Sequence, residues 1–201
     1  MSDVFAYRLG EALYLNITNR CTFRCTFCVR NSGDSFNGSD LWLRHEPDAD
    51  EVIAAIEAMG GADGFREVVF CGYGEPTMRL EVLLETARRI RARWCVPVRL
   101  NTNGQANLVY GRDVTPELRE AVDAVSISLN APTAQEYAAL CRPEHGEAAF
   151  QAMLGFAAAC RRQGISTVMT VVDVIGPEKV EQCRRIAEDL GVGFRVRAYI
   201  E

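Results

Sequence analysis

The sequence of 201 residues has no long apolar run and no surplus of basic residues, and each absence excludes a class of protein. No stretch approaches the roughly 18–20 apolar residues that a membrane span requires. The first twenty residues carry Asp3, Arg8 and Glu11 and lack the apolar core of a signal peptide. Because 22 basic against 27 acidic residues leave a net charge of −5, composition gives no sign of a nucleic-acid surface. We therefore expect a cytoplasmic protein without a membrane segment.

Repeats, linkers and low-complexity tracts are also missing, which predicts a single domain over residues 1–201. Hydrophobic residues make up 48% and charged residues 24% of the chain, an ordinary globular composition that excludes disorder. The eight cysteines are spread along a chain too long for a disulfide-stabilised miniprotein. Reduced thiols and metal ligation in a reducing compartment fit them better.

Three of the cysteines, Cys21, Cys25 and Cys28, lie within eight residues, directly after an apolar stretch that predicts a strand. Three thiolates this close can hold three irons of a cubane, whereas an ordinary 4Fe–4S cluster takes four protein thiolates. The next cysteine, Cys71, is 43 positions further on (71 − 28). A cluster held here would therefore have one iron open to a small molecule.

The same cysteines admit two other interpretations, buried free thiols and a structural zinc site. Three cysteines and one histidine suffice to bind zinc. A zinc knuckle, however, needs a second ligand pair further along the chain, and none is present. His45 and His145, the only histidines, lie far apart in sequence. The pattern favours the iron–sulfur interpretation and leaves zinc as the alternative.

Strands and helices alternate after the cysteines, which predicts an α/β fold with parallel strands and right-handed crossovers. The predicted strands cover residues 12–17, 67–71, 96–100, 124–129, 167–174 and 194–199. The predicted helices cover residues 48–59, 80–94, 116–121, 146–163 and 177–190. A hairpin turning at Gly10-Glu11 leads into the first strand, and residues 31–40 predict a surface loop. Six units are too few for a closed eight-stranded barrel, so we predict an open partial (β/α)6 barrel, with a flat doubly wound sheet as the alternative.

Four motifs fall at the carboxyl ends of four predicted strands, where ligands bind in parallel sheets. In chain order they are the cysteines, Gly72-Tyr73-Gly74-Glu75, Asn101 with Asn103, and Ser126, Ser128 and Asn130. Each motif alone has a purely structural explanation: Gly72 suits a turn with positive φ, and Asn103-Gly104 suits a tight turn. Their convergence on one rim predicts a single ligand site.

The Cys-x-x-x-Cys-x-x-Cys loop, with the aromatic Phe27 before its last cysteine, resembles the signature of the radical S-adenosyl-L-methionine (SAM) superfamily. The resemblance implies a partial TIM barrel and a 4Fe–4S cluster on Cys21, Cys25 and Cys28 that binds SAM through its open iron. One electron then splits SAM into methionine and a 5′-deoxyadenosyl radical, which takes a hydrogen atom from an unidentified substrate. It also implies an external one-electron reductant of the flavodoxin or ferredoxin type, and a core domain without an auxiliary-cluster extension.

The resemblance also implies which residues contact SAM. Gly72, Tyr73, Gly74 and Glu75 correspond to the Gly-Gly-Glu element that meets the methionine amino group, with Tyr73 in place of the second glycine. The remaining implied SAM contacts are Phe27, Asn101, Asn103, Ser126, Ser128, Asn130, Val174, Arg195 and Arg197. The two arginines are candidates for the SAM carboxylate, because a guanidinium binds carboxylates in a bidentate manner.

Cys141 and Arg142, in the loop predicted after the fourth strand, are the candidate catalytic residues. A thiol there could donate a hydrogen atom to a product radical, and a guanidinium could bind an anionic substrate. The lead-in to Cys21 and the Phe-Cys-Gly-Tyr-Gly-Glu-Pro segment resemble the small radical SAM proteins associated with TatD-family nucleases, which implies such a nuclease as a partner. An activase that installs a glycyl radical on a partner protein, or a non-catalytic cluster or zinc protein, are the alternative functions.

Overall fold

The computed structural model describes residues 3–31, 38 and 40–199, and this part of the chain forms one sheet flanked by helices. The strands are β1 (Ala6–Leu9), β2 (Ala12–Leu15), β3 (Glu67–Phe70), β4 (Val98–Thr102), β5 (Ala124–Ser128), β6 (Ser166–Val172) and β7 (Gly193–Arg197). The α-helices are α1 (Ala49–Ala58), α2 (Leu80–Arg93), α3 (Ala106–Tyr110), α4 (Thr115–Ala121), α5 (Ala134–Cys141), α6 (Ala148–Arg162) and α7 (Pro177–Asp189). Two 3₁₀ helices cover Val29–Asn31 and Pro76–Arg79. Most of the loop predicted over residues 31–40 lies outside the described residues.

The strands lie side by side in chain order from β1 to β7. β1 pairs antiparallel with β2 through the predicted hairpin, in which Gly10 adopts a φ of +61°. The strands from β2 to β7 are all parallel. Because β1 and β7 form the two margins and do not pair with each other, the sheet is open. The predicted α/β fold and partial barrel are confirmed.

The sheet separates an apolar outer face from a polar inner face. On β4, for example, Val98 and Leu100 are fully buried against the helices, whereas Arg99 and Asn101 alternate with them and are only partly buried. Burying a large apolar side chain of this kind contributes about 1.5–3 kcal/mol. The strand register aligns Arg99 with Val69 of β3, and Asn101 with Ser126 of β5. The inner face therefore supplies polar groups to a central cavity.

A capping motif in the sequence explains where α1, the helix that follows the cysteine loop, begins. The Asp48 side chain accepts a hydrogen bond from the backbone N–H of Glu51, and the Glu51 side chain accepts one from the backbone N–H of Asp48. This reciprocal capping box begins α1 where the sequence predicts it. No helix in the described ranges combines the length and apolarity needed to cross a membrane.

The helices α3 and α5 have no counterpart among the predicted helices, and each of the six predicted strands ends one or two residues from its predicted end. The helix α3 has five residues, too few for a helical period to show in the sequence. The helix α5 begins at Ala134, after the N-cap Thr133, whose side chain accepts a hydrogen bond from the N–H of Glu136, and it ends at Cys141. The prediction that Cys141 lies in a loop is therefore wrong. The prediction that the fifth parallel strand reaches Val174 is also wrong, because β6 ends at Val172.

Candidate active site

The three cysteines of the motif line one cavity of about 310 Å³ at the carboxyl ends of the strands. Their loop is held on both sides. The Asn103 amide Nδ2 donates to Oγ1 of Thr22 over 3.2 Å, and the backbone N–H of Thr26 donates to the carbonyl of Leu140 over 3.0 Å. The loop is thus fixed between the end of β4 and the end of α5.

The thiols of Cys21 and Cys25 are partly buried, which favours their neutral form in the absence of a metal. Burial raises the pKa of the Cys21 thiol to about 12. The pKa of Cys25 is also raised, first by a hydrogen bond with the Cys141 thiol and then by burial. A bound cluster reverses this preference, because its positive charge stabilises coordinating thiolates.

Gly72 and Gly74 are required by close packing. A Cβ on Gly72 would lie 2.0 Å from Oδ1 of Asn16, and a Cβ on Gly74 would lie 2.3 Å from the carbonyl oxygen of Thr18. Neither glycine adopts a positive φ, so the explanation of Gly72 by a positive φ is wrong. The loop after β3 runs directly against the chain that continues β2 toward the cysteines. Only glycine allows this approach.

Glu75 is a buried carboxylate that ties the same loop to β4. Its Oε1 accepts hydrogen bonds from Thr77 Oγ1 and Thr102 Oγ1, both over 2.8 Å, and from the N–H of Thr77 over 3.1 Å. Its Oε2 accepts one bond, from the N–H of Asn103 over 2.7 Å. Burial raises the pKa of Glu75 above its usual value, and these donors offset only part of that rise. Because Oε2 has one donor and Glu75 lines the cavity, this oxygen keeps an acceptor site for an ammonium group.

Asn130 combines backbone strain with an unsatisfied polar atom. It is buried, with a φ of +57°, a conformation that costs a non-glycine residue about 1–3 kcal/mol. Its Nδ2 lies 3.7 Å from the Cys141 sulfur, but its Oδ1 is buried and has no hydrogen-bond partner. A buried acceptor in this state is rare in folded proteins. A hydroxyl group of a ligand in the cavity would satisfy it.

Most of the implied SAM contacts line the cavity together with the cysteines: Phe27, Gly72, Tyr73, Gly74, Glu75, Asn101, Asn103, Ser128, Asn130 and Arg197. Three do not. Ser126 is buried away from the cavity, and the exposed Arg195 contacts Ser126 Oγ through its Nη2 over 3.4 Å. Val174 is 41% exposed beyond the end of β6 and lines a separate groove, and Val172 lines the cavity in its place.

The sequence interpretation missed Thr102 and Tyr199, which also line the cavity. Thr102 lies between Asn101 and Asn103 of the recognised motif, so its position at the end of a strand is enough to predict that it lines the cavity. Tyr199 follows β7 without any spacing pattern that would single it out.

The two candidate catalytic residues lie outside the cavity. Cys141 is fully buried, with its thiol against Cys25 and Asn130. Arg142 is exposed in the left-handed conformation that ends α5. It lines the outer side of the cysteine loop, together with Arg24 and Arg30. Neither residue faces the space where SAM and a substrate would meet, so the structure does not favour these roles.

Comparison with known proteins agrees with this geometry. The family model described as the Radical SAM superfamily matches residues 15–190. The chain belongs to the radical SAM superfamily. Members of this superfamily bind a 4Fe–4S cluster and SAM and require an external reductant.

Curated relatives of this radical SAM chain carry the name GTP 3′,8-cyclase. The protein from Lactiplantibacillus plantarum is 33% identical over 136 residues, which are 67% of this chain and 38% of the relative. The protein from Streptomyces coelicolor is 28% identical over 165 residues, 80% of this chain and 44% of the relative. The chain thus spans less than half the length of these relatives. They give no support to the narrower resemblance to TatD-associated proteins.

Solved radical SAM structures share the fold of this chain at low sequence identity. Streptococcus suis SuiB bound to S-adenosylmethionine has a TM-score of 0.69 and 18% identity, covering 95% of this chain and 41% of SuiB. A radical SAM methyltransferase from Sphaerobacter thermophilus has a TM-score of 0.63 and 15% identity, covering 96% of this chain and 57% of that protein. These similarities confirm the architecture on which the cavity is built.

Proposed function

We propose that this chain is a radical SAM enzyme that uses a cluster on Cys21, Cys25 and Cys28 to take a hydrogen atom from a bound substrate. One observation carries the proposal: the three cysteines line the same cavity as the glycine loop, Glu75 and the unsatisfied Oδ1 of Asn130. When bound, the cluster and SAM supply the bond-breaking chemistry, in which one electron yields methionine and a 5′-deoxyadenosyl radical.

The residues of the chain hold and orient SAM. The Glu75 Oε2 and the backbone of the glycine loop accept hydrogen bonds from its ammonium group. The guanidinium of Arg197 pairs with its carboxylate, in the bidentate manner that this pair of groups favours. Asn130 Oδ1 accepts from a ribose hydroxyl, and the apolar side chains of Phe27 and Val172 flank the adenine.

The packing of the loops fixes the relative positions of the residues that hold SAM and the residues that hold the cluster. Glu75 binds the end of β4, the glycine loop packs on Asn16, and Asn103 binds Thr22 beside Cys21. These contacts link the groups for SAM to the groups for the cluster. Fixed relative positions of reacting groups lower the entropic part of a reaction barrier.

A purine nucleotide is the first substrate to test, since the curated relatives are named for a reaction of GTP. Because this chain covers less than half of their length, GTP is part of the proposal. The external electron donor required by the superfamily completes the reaction.

Anaerobic reconstitution tests the proposal. We expect about four irons per chain, and 5′-deoxyadenosine detected by chromatography after SAM and dithionite are added. Cys28→Ser should lose iron and product, whereas Cys95→Ser, which changes an exposed cysteine outside the motif, should retain both. Iron-loaded protein that forms no 5′-deoxyadenosine would contradict the enzymatic role.

A further inference from the structure

A second cavity, of about 410 Å³, lies inside the barrel next to the SAM cavity. Its charged lining consists of three guanidiniums, those of Arg99, Arg195 and Arg197, and no carboxylate lines it. Tyr7 and Tyr14 form an aromatic wall, with ring centroids 5.4 Å apart. The two cavities share the wall residues Val29, Cys71, Gly72, Tyr73, Asn101 and Arg197.

Only one of the three guanidiniums is neutralised by a neighbouring carboxylate. Arg99 donates to both oxygens of Glu67, over 2.7 and 2.9 Å. The Nη2 of Arg195 contacts Ser126 Oγ over 3.4 Å, and the Nε of Arg197 is buried without a hydrogen-bond partner. Glu67 lies within range of the Arg195 charge, but its oxygens are already engaged by Arg99. In the described part of the chain, neither Arg195 nor Arg197 forms an ion pair.

Placing these cations together is unfavourable unless an anion joins them. Arg195 and Arg197 are two positions apart on β7, so their side chains lie on the same face of the strand, and both line the second cavity, Arg195 from an exposed position and Arg197 from a partly buried one. Burial lowers the pKa of Arg197, and the charges of Arg195 and Arg99 lower it further. The chain as a whole carries a net charge of −5, so this positive cavity departs from the average surface. Cavities of this kind concentrate anions.

We propose that this cavity binds an oxyanion group, phosphate or carboxylate, of the substrate from which the hydrogen atom is taken. The inference rests on the proposed function, since it names the substrate class of that same site. Guanidinium forks match the geometry of phosphate and carboxylate oxygens. The tyrosines and the apolar side chains of Leu9 and Leu41 contact the uncharged part of the ligand.

The carboxylate of SAM does not account for this charge. SAM brings one carboxylate, and Arg197 is the arginine that lines the SAM cavity. Arg99 and Arg195 line only the second cavity. Arg99 is already paired with Glu67, so Arg195 is the guanidinium that remains for a second anion, on the far side of the shared wall.

Calorimetric titration of the reconstituted protein in the presence of SAM tests the proposal, with tripolyphosphate and citrate as probes. Arg195→Gln should weaken binding about tenfold or more, because a hydrogen bond to a charged group contributes that much. Arg185→Gln makes the same change at an exposed position on α7 and should bind like wild type. Arg195→Lys, which keeps the charge but loses the fork, should lie between the two.

Tighter binding of tripolyphosphate would assign a phosphate ligand, tighter binding of citrate a carboxylate ligand, and both support an oxyanion site. The proposal is overturned if neither probe binds wild type, or if wild type and Arg195→Gln bind alike. Circular dichroism of each variant establishes that it is folded. If Arg195→Gln is unfolded, the binding of Arg195→Lys is compared with that of wild type instead. Formation of 5′-deoxyadenosine by wild type without either probe reports on the proposed function separately.

Discussion

The side chain of Asn103 donates a hydrogen bond to Thr22 over 3.2 Å, which joins the end of β4 to the residue beside Cys21. Both residues are buried. The other groups of Asn103 bind Glu75 and Gln105. A single asparagine therefore connects the loop that carries the three cysteines to the loop that carries Glu75.

Replacing Thr22 with valine keeps the side-chain shape and removes the acceptor. We expect a loss of about 1–3 kcal/mol in the free energy of unfolding, because the Asn103 amide is left buried and unpaired. Less iron should be retained after reconstitution. Urea unfolding and iron analysis measure both effects. Thr86→Val is the matched control, since Thr86 is buried on α2 and its hydroxyl has no hydrogen-bond partner, and an equal loss in both variants would contradict the role of the Asn103 contact.

Gly72→Ala should destabilise the protein and weaken SAM binding. The new methyl group would lie 2.0 Å from Oδ1 of Asn16, whose Nδ2 is held by the carbonyls of Val4 and Leu41. Overpacking of this kind costs about 1–3 kcal/mol. Gly155→Ala places the same methyl in open space on α6, where alanine stabilises a helix by about 0.5–1 kcal/mol. Thermal unfolding measures the change in melting temperature of both variants, and similar changes in the two would rule out the clash at Gly72.

Cys141→Ala should leave the formation of 5′-deoxyadenosine close to the wild-type value. The thiol is buried behind Cys25 and does not line the SAM cavity, so its loss is expected to cost only about 1 kcal/mol of stability. Cys25→Ala should lose the cluster. Single-turnover assays on protein of equal iron content compare the variants. Loss of product in Cys141→Ala at full iron content would restore a catalytic role for this thiol.

The stability contributed by His45 should fall as the pH rises. Hydrogen bonds to Glu51 and Asp3 raise the pKa of His45 above its unfolded value. The imidazolium is therefore favoured in the folded state, and its contribution is complete below the unfolded pKa of about 6.5 and is lost above the folded pKa. The difference in melting temperature between wild type and His45→Asn should be large near pH 5.5 (roughly, from the same reference value) and small well above the folded pKa. A difference that does not change over this range would contradict the assignment.

The sequence sufficed for the fold because every large element carries its own signal. The periodicity of α2 and α6 and the apolar runs of β3 and β5 place these elements within a few residues of their observed ends. The convergence of the motifs followed from the parallel topology alone. Contacts between distant segments left no such trace: nothing local to Gly72 indicates that Asn16 lies against it.

The division of the barrel interior into two cavities likewise could not be predicted from the sequence. Arg195 and Arg197 look equivalent, since they are two positions apart on one strand. The register places Arg197 opposite Val172 and Arg195 opposite Thr170, one step deeper. That step separates an arginine that reaches the SAM cavity from one that does not, and strand register depends on the whole sheet.

The antiparallel strand β1 covers the outer edge of β2, whereas β7 is the opposite margin of the described sheet. Within the described residues, β1 continues the sheet beyond β2, whereas β7, which carries Arg195 and Arg197, pairs with β6 alone. Arg195 is exposed and Arg197 lines the cofactor cavity, so an anion approaching along the β7 side would meet Arg195 first. Entry from this direction would orient a molecule with one acidic end before the reaction begins.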